Sequence, residues 1–470
     1  MRSTKIVATL GPATDSPEAL HGLFAAGANV FRLNASHGDW TQHRARIQAV
    51  RDTAAELGAH AAILLDLQGP KIRLGEFEGG GCQLVTGALF TITSEPALGC
   101  TERAHCTYSP LPREVRPGDR VLLNDGAVEL EALACDATSV QFRVISGGPV
   151  GDHKGVNLPG VKLSTPAMTP KDAEDLTNGL DADVDFVALS FVRDANDVYQ
   201  LRRRLEERHS RVLLISKIEK PEAWSNLEGV LDASDGVMVA RGDLGVEMPL
   251  EKVPFIQKQL IARARERGKF VITATQMLES MIEHARPTRA EVSDVANAIC
   301  DGTDAVMLSA ETSVGCDPAN AVRTMARIAT ETEGWLRPQG FPEPLPRVTP
   351  SNAEIVAESA YHAARSAGVA AIAVFTTSGA TARLISRYRP PVPIYAFTHD
   401  TGVARQLAAS FGVHPILAPV VDSTEQMLHQ MESMVVQRGL LHAGDNVVFV
   451  AGQPIGHIAS TNLLKLHRLA

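Results

Sequence analysis

The strongest constraint on this chain is a series of eight short, nearly continuous apolar runs. They are KIVATLG (5–11), NVFRLNAS (29–36), AAILLDLQG (61–69), VDFVALSFV (184–192), RVLLISKIE (211–219), GVMVARGDLG (236–245), FVITATQ (270–276) and AVMLSAE (305–311). A run that is apolar on both faces suits a parallel strand covered on both sides, and most of the gaps leave room for a helix. The first gap shows its helix boundaries plainly. Ser16 can cap, Pro17 suits the first helical position, Leu20, Leu23 and Phe24 form an apolar face, and Gly27 can end the helix. Eight β-then-α units predict a (β/α)8 TIM barrel, an α/β fold.

Two stretches break the repetition. The gap after the third run is long, and its texture differs: EFEGGGCQLVTGALFTITS, REVRPGDRVLLNDGAVELEAL and SVQFRVISGG alternate short strands with Gly, Pro and Asp-Gly turns. This predicts a small β-barrel domain inserted at 72–166, placed where it could act as a lid. The stretch GWLRPQGFPEPLPRVTP (334–350) carries five prolines and predicts a stiff linker. Beyond it, AAIAVFT, PIYAFT, HPILAP and NVVFVAG alternate with helical patterns, which predicts a smaller doubly wound α/β domain over 351–470. The barrel itself is expected over 1–71 and 167–340. Three domains agree with a length of 470 residues.

Composition narrows the function. Hydrophobic residues make up 44% and charged residues 21%, so a large core can be buried; aromatics are only 5%, so Val, Ile, Leu and Ala must fill it. A formal net charge of -9 argues against a general nucleic-acid or membrane-surface binder, although local cations can still hold phosphate. No apolar run reaches the roughly 18 residues of a membrane span. The opening MRSTKIVATLG is too short and polar for a secretory signal, so a cytoplasmic protein is expected. Six cysteines at 82, 100, 106, 135, 300 and 316 include no C-x-x-C pair and read as reduced packing residues.

Chemistry in such a barrel sits at the C-terminal ends of the strands. The second run ends in Arg32, Asn34 and Ser36, followed by His37; the third ends in Asp66. The fifth ends in Lys217 and Glu219, the sixth in Arg241 and Asp243, the seventh offers Thr273 and Thr275, and the eighth Ser309 and Glu311. Residues 217 and 219 share one face by the period of two. Glu219 and Asp243 come from neighbouring strands, and two hard oxygen ligands are what Mg²⁺ takes when phosphate and water complete its shell. Arg32 and Lys217 could neutralise a phosphoryl group. A tight turn at ARGDLG would offer backbone N–H groups to an anion such as a carboxylate. Taken singly, each of these charges reads as a structural ion pair. Gathered at the ends of several strands around one rim, they point to an Mg²⁺-using phosphate enzyme. A Schiff-base aldolase using Lys217 and a non-catalytic sugar-phosphate sensor are the rival readings.

The segments FRLNASHG, LDLQGPKIR, HKGVNLPG, SKIEKPEA, MVARGDLGVE, TATQMLESM, RPTRAEVSDVANAICDGTDAVMLSAET and TNLLKL occur in an order that resembles the pyruvate kinase family, bacterial type, over almost the whole chain. The resemblance implies phosphoryl transfer from phosphoenolpyruvate to ADP, giving pyruvate and ATP, with Mg²⁺ (or Mn²⁺). It implies a barrel, a β lid and a C-terminal regulatory domain, usually in a homotetramer. On this resemblance Lys217 stabilises the moving phosphoryl group, Arg32 binds phosphate, and Glu219 and Asp243 hold the divalent ion. Gly242, Asp243 and Thr275 match the pocket for the substrate carboxylate, and Thr275 helps deliver the proton to enolpyruvate through water. The nucleotide residues are Asn34, His37, Arg73 and Lys154, with Arg73 at the lid hinge and Lys154 on the lid's return strand. A structural histidine is an equal reading of His37, and Asp125 in the NDG turn reads as a plain turn residue.

Two departures from the family pattern stand out. Asn34, Ser36, Asp66 and the carbonyl of Leu67 match the family's K⁺ ligands. K⁺-dependent members usually carry threonine in place of Leu67 and glutamate in place of Lys71. The lysine reverses a charge near the phosphate, so Lys71 is expected to stand in for K⁺; the alternative is a lysine turned to solvent. In the C-terminal domain, Thr376, Thr377, Ser378, Gly379 and Thr381 of FTTSGAT resemble a phosphate loop at a helix start. The counterpart GQPIGHIASTN (452–462) lacks the tryptophan and arginine often seen at fructose-1,6-bisphosphate sites. A sugar-monophosphate or nucleotide-monophosphate effector is expected instead, or none.

Overall fold

The computed structural model describes residues 1–341, 343–344, 350–366, 368–454 and 461–470. Its centre is a closed parallel barrel of β1 (Lys5–Thr9), β2 (Val30–Asn34), β3 (Ala62–Asp66), β4 (Phe186–Leu189), β5 (Leu213–Ile218), β6 (Gly236–Ala240), β7 (Phe270–Ala274) and β8 (Ala305–Leu308). β1 pairs with both β2 and β8, which closes the ring. The continuous apolarity of the strands now has its cause. Val7, Val30, Leu64, Ile215, Met238 and Ile272 fill the barrel interior, while Ile6, Phe31, Leu33, Ile63 and Leu65 pack outward against the helices. The first helix, Pro17–Ala26, begins where Ser16 Oγ accepts the Ala19 N–H at 3.1 Å and stops at Gly27, whose φ of +106° few other residues adopt.

The insertion follows β3. A six-stranded sheet runs in the order Val156–Asn157, Arg120–Leu123, Val128–Cys135, Ser139–Ser146, Leu89–Thr93, Arg103–His105, beside a two-stranded sheet of Gly148–Gly151 with Gly81–Leu84. Leu74, Phe90, Ile92, Val121, Leu130 and Phe142 give it a core of its own. Its two connections to the barrel run side by side. Arg73 bridges Gly155 in antiparallel fashion, and the Val156 N–H reaches the Ile72 carbonyl at 3.0 Å.

The C-terminal sheet has the order β11-β10-β9-β12-β13, formed by β9 (Val369–Phe375), β10 (Ile394–Thr398), β11 (Val413–Leu417), β12 (Asn446–Gly452) and β13 (Thr461–Arg468). Among the described residues of this sheet, β13 alone runs antiparallel to its neighbour. Part of the expected proline-rich linker (342 and 345–349) and most of GQPIGHIASTN (455–460) lie outside the described residues. The domain is seated on the floor of the barrel, where the strands begin. Lys5 Nζ donates to the Val413 carbonyl at 2.7 Å, Arg389 pairs with Asp304 at 2.9 Å, and Arg405 pairs with Asp185 at 2.7 Å. The opposite rim is left to the chemistry. Among the described residues, no helix is long and apolar enough to cross a membrane.

Candidate active site

Neighbouring strands bring their charged ends into one buried network. Arg32 on β2 gives its Nε to Asp66 Oδ2 at 2.8 Å and its Nη1 to Thr9 Oγ1 at 3.0 Å. Lys217 Nζ lies 2.8 Å from Glu219 Oε1, 3.3 Å from Asp66 Oδ1 and 2.8 Å from Ser190 Oγ. Side chains two apart on a strand share a face, so Lys217 and Glu219 meet as their spacing predicts, although Glu219 lies one residue beyond β5. Burial would lower the Lys217 pKa, but Asp66, Glu219 and Asp243 outweigh it and raise the pKa above the usual lysine value. Burial pushes Asp66 up, yet Lys217 and Arg32 hold its carboxyl below the ordinary range. Glu219 goes the other way: burial, helped by the nearby Asp243 charge, raises its carboxyl against the pull of Lys217.

That last shift bears on a divalent ion. The buried Glu219, pushed toward neutrality, and the half-buried Asp243 beside it form a donor pair that a hard dication relieves. No group of three or more His, Cys, Asp or Glu metal donors occurs among the described residues. The pair fits Mg²⁺ on those terms.

ARGDLG is not a tight turn. It forms the short helix Arg241–Glu247, because the chain coils directly on leaving β6. The Gly242 N–H donates to Thr275 Oγ1 at 2.7 Å. Thr275 and Gln276 have φ of +68° and +53°, a region that a β-branched residue occupies only when held there. Arg241 does the holding: its Nη2 donates to the Thr275 carbonyl at 2.6 Å, its Nε to the Ala274 carbonyl at 3.2 Å, and its Nη1 pairs with Asp294 at 2.6 Å.

Two further strand-end residues, Thr273 and Glu311, are held by contacts within the fold. Thr273 Oγ1 is buried against Thr303 Oγ1 at 3.0 Å. Glu311 accepts the N–H groups of Ser309 and Leu278. Asn34 stands in register with Asp66, and its Oδ1 accepts the Ser36 N–H at 3.1 Å. His37 is exposed; partial burial, then the charges of Arg73, Lys71 and Arg32, lower its pKa. Arg73 Nη1 donates to the His153 carbonyl at 2.9 Å. Lys154 is exposed and sits in the connection between two lid strands rather than on the return strand, with its carbonyl accepting Leu74 N–H at 2.8 Å. Asp125 has a turn conformation, φ +54°, but also lines the cleft between lid and barrel with Lys71, Asn157, Lys220, Asp243 and Glu247.

In the C-terminal loop, Thr376 Oγ1 accepts the Gly379 N–H at 3.0 Å and Thr381 Oγ1 lies 2.6 Å from Thr461 Oγ1. These two hydroxyls are committed to the fold, while Thr377 and Ser378 are half-buried.

Sequence reasoning missed Thr9 and Ser190. Both belong to the ends of the first and fourth apolar runs, the two whose polar residues were not considered. Ser190 Oγ accepts from Lys217 and donates to the Leu67 carbonyl at 2.7 Å, so it fixes the ammonium and the backbone beside it.

A closed (β/α)8 barrel with two cations and three carboxylates at its rim, beneath an inserted β unit, defines a barrel enzyme that handles anionic substrates. Comparison with known proteins makes this specific. Residues 1–322 match the family model for the pyruvate kinase barrel domain, and residues 354–467 match the one for the pyruvate kinase alpha/beta domain. A pyruvate kinase from Mycobacterium intracellulare is 46% identical over 470 residues, covering 100% of this chain and 98% of that one. One from Geobacillus stearothermophilus is 45% identical, covering 99% of this chain and 80% of its own length. The crystal structure of a pyruvate kinase from Cryptosporidium parvum superposes with a TM-score of 0.91 at 38% identity, over 100% of this chain and 96% of that one. The chain belongs to the pyruvate kinase family. Its activity is phosphoryl transfer from phosphoenolpyruvate to ADP, a step of glycolysis.

Proposed function

We propose that Lys217 and Arg32 carry this transfer, and that it runs without K⁺ because Lys71 supplies the charge. The observation that weighs most is the Lys217 ammonium, fixed between Glu219 and Asp66 and held firmly protonated. In phosphoryl transfer, charge spreads over the oxygens of the moving group, and a cation already oriented there costs no reorganisation. The same raised pKa argues against the aldolase reading, since an amine nucleophile needs a depressed one.

Glu219 and Asp243 are the residues that would hold Mg²⁺ (or Mn²⁺), which when bound supplies Lewis-acid charge to the phosphoryl oxygens. Gly242, Asp243 and Thr275 would receive the substrate carboxylate; the Gly242 N–H and Thr275 hydroxyl already meet at 2.7 Å. Thr275 is then placed to pass a proton to enolpyruvate through water. Asn34, His37, Arg73 and Lys154 would bind ADP, with 72–166 closing over it as a lid and excluding water. The barrel spans 1–71 and 167–340, and 351–470 is a regulatory domain whose loop 376–381 takes a sugar-monophosphate or nucleotide-monophosphate. The enzyme works in the cytoplasm as a homotetramer.

Three observations support independence from K⁺. Asp66 already carries Arg32 and Lys217, the Leu67 carbonyl already accepts a hydroxyl, and Lys71, exposed and without an ion-pair partner among the described residues, lines the cleft. The test is pyruvate formation from phosphoenolpyruvate and ADP with Mg²⁺ in tetramethylammonium buffer. Full turnover is expected without K⁺; a many-fold increase on adding K⁺ overturns the role of Lys71.

A further inference from the structure

We infer that Glu247 is a positioning residue that couples the lid to the Glu219–Asp243 pair; this rests on reading that pair as the divalent-ion site. Glu247 ends the short helix Arg241–Glu247, one turn beyond Asp243. Lys220 directly follows Glu219. Lys220 Nζ pairs with Glu247 Oε1 at 2.6 Å, with the two side chains 11% and 1% exposed. One buried ion pair thus joins the backbone behind the first carboxylate to the backbone behind the second.

The lid reaches the same atom. Asn157, on the lid's last strand, donates its Nδ2 to Glu247 Oε1 at 3.1 Å. That strand follows Gly155, which bridges Arg73 at the root of the insertion. The outgoing connection abuts the cluster as well. Gly69 has φ +70°, and a Cβ there would stand 2.7 Å from Phe191 Cδ2. Phe191 in turn gives its N–H to Glu219 Oε2 at 2.8 Å, and its ring centroid lies 5.9 Å from Lys220 Nζ. Both crossings into the lid therefore lean on groups that also set the two carboxylates.

Glu247 is not fully bonded in this arrangement: its Oε2 is buried, and none of the described residues donates to it. A buried acceptor left unmade favours any rearrangement that supplies one. A lid shift that carries the Asn157 amide across the carboxylate does so. Lid position and carboxylate position then change together, and nucleotide and divalent ion bind cooperatively through Glu247.

The experiment compares Asn157→Leu, of similar size but without the amide, and Glu247→Gln, which keeps an acceptor for Asn157 but loses the negative charge paired with Lys220. Both are measured for Mn²⁺ affinity by electron paramagnetic resonance without turnover, for KM of each substrate, and for hydrogen exchange at the lid connections. Asn157→Leu is expected to raise the KM for ADP about tenfold and weaken Mn²⁺ several-fold, leave the KM for phosphoenolpyruvate within about twofold, and speed exchange at 72–74 and 155–157. Glu247→Gln is expected to weaken Mn²⁺ about tenfold, and the double variant to lose less than the sum of the two single losses. Asn157→Gln, which restores an amide, recovers part of the loss. A lower thermal midpoint with unchanged Mn²⁺ affinity, or a shift in ADP alone, overturns the coupling. Glu219→Gln is the control: if it leaves Mn²⁺ affinity unchanged, the divalent-ion reading fails, whereas a loss there beside unaffected Asn157→Leu and Glu247→Gln sinks only the present inference.

Discussion

Replacing Lys217 by methionine keeps the unbranched stem and removes the charge. The structure sets the size of the effect. Removing one partner of a buried ion pair costs about 3–5 kcal/mol. Here Asp66 keeps Arg32 and Glu219 keeps the Phe191 N–H, so the lower end, about 3 kcal/mol, is expected. On the rate, loss of a preorganised charge on the transferring group is worth at least about 10²–10³-fold in kcat. The stability loss must also depend on pH. The Glu219 carboxyl is already raised by burial and Asp243, and Lys217 is what restrains it. Without Lys217 its folded pKa climbs further, so proton uptake favours the folded variant as pH falls through that raised value toward the unfolded value of about 4.3. In the wild type, Lys217 has a raised pKa, so its stabilisation is present below the unfolded value of about 10.4 and fades above it. The deficit of Lys217→Met is therefore greatest from neutral pH to about pH 10 and narrows in acid. Thermal midpoints of both proteins at pH 8 and pH 5.5, beside kcat at pH 8, check this. An equal deficit at both pH values, or a kcat within tenfold of wild type, would refute the reasoning.

Ser190→Ala removes the hydroxyl shared by Lys217 and the Leu67 carbonyl; a loss of about 1–2 kcal/mol and a several-fold lower kcat are expected, read by thermal midpoint and steady-state rates. Gly69→Ala forces a Cβ to 2.7 Å from the Phe191 ring at a φ of +70°; the left-handed backbone alone costs roughly 1–2 kcal/mol, and Mn²⁺ affinity should fall as Phe191 shifts from Glu219, whereas unchanged affinity would remove Phe191 from the support of that carboxylate.

Much of the barrel was legible because its strands announce themselves. Apolar runs of the right length, spaced for helices, have few other solutions, and Ser16, Pro17 and Gly27 marked one helix to the residue. The pairing of Lys217 with Glu219 followed from the period of a strand. What the spacing could not supply was the path of the chain after each strand. ARGDLG was read as a turn because glycines signal turns locally, but it continues as a helix once the barrel ends. Thr273 was read as a rim residue, yet it alternates with Ile272 and Ala274, which face the barrel interior, and so points outward against Thr303. The Asn157–Glu247 contact spans 90 residues and joins two elements that show no mutual signal in the sequence. The left-handed backbone at Thr275 had no signal either, because its cause is Arg241, thirty-four residues away.

The contacts at the barrel floor bear on how the molecule comes apart. Asp304 and Asp185, both buried, stand just before β8 and β4 and are held by Arg389 and Arg405 from the C-terminal domain. Lys5, the first residue of β1, spends its Nζ on the carbonyl of Val413. Three of the eight staves are thus anchored by a neighbour that the sequence sets apart behind a proline-rich tether. Cutting at the tether would leave buried carboxylates short of partners and a lysine facing nothing, so the boundary written in the sequence is a joint in the chain, not a seam along which the protein unfolds. A single thermal transition is expected for the barrel and the C-terminal domain together.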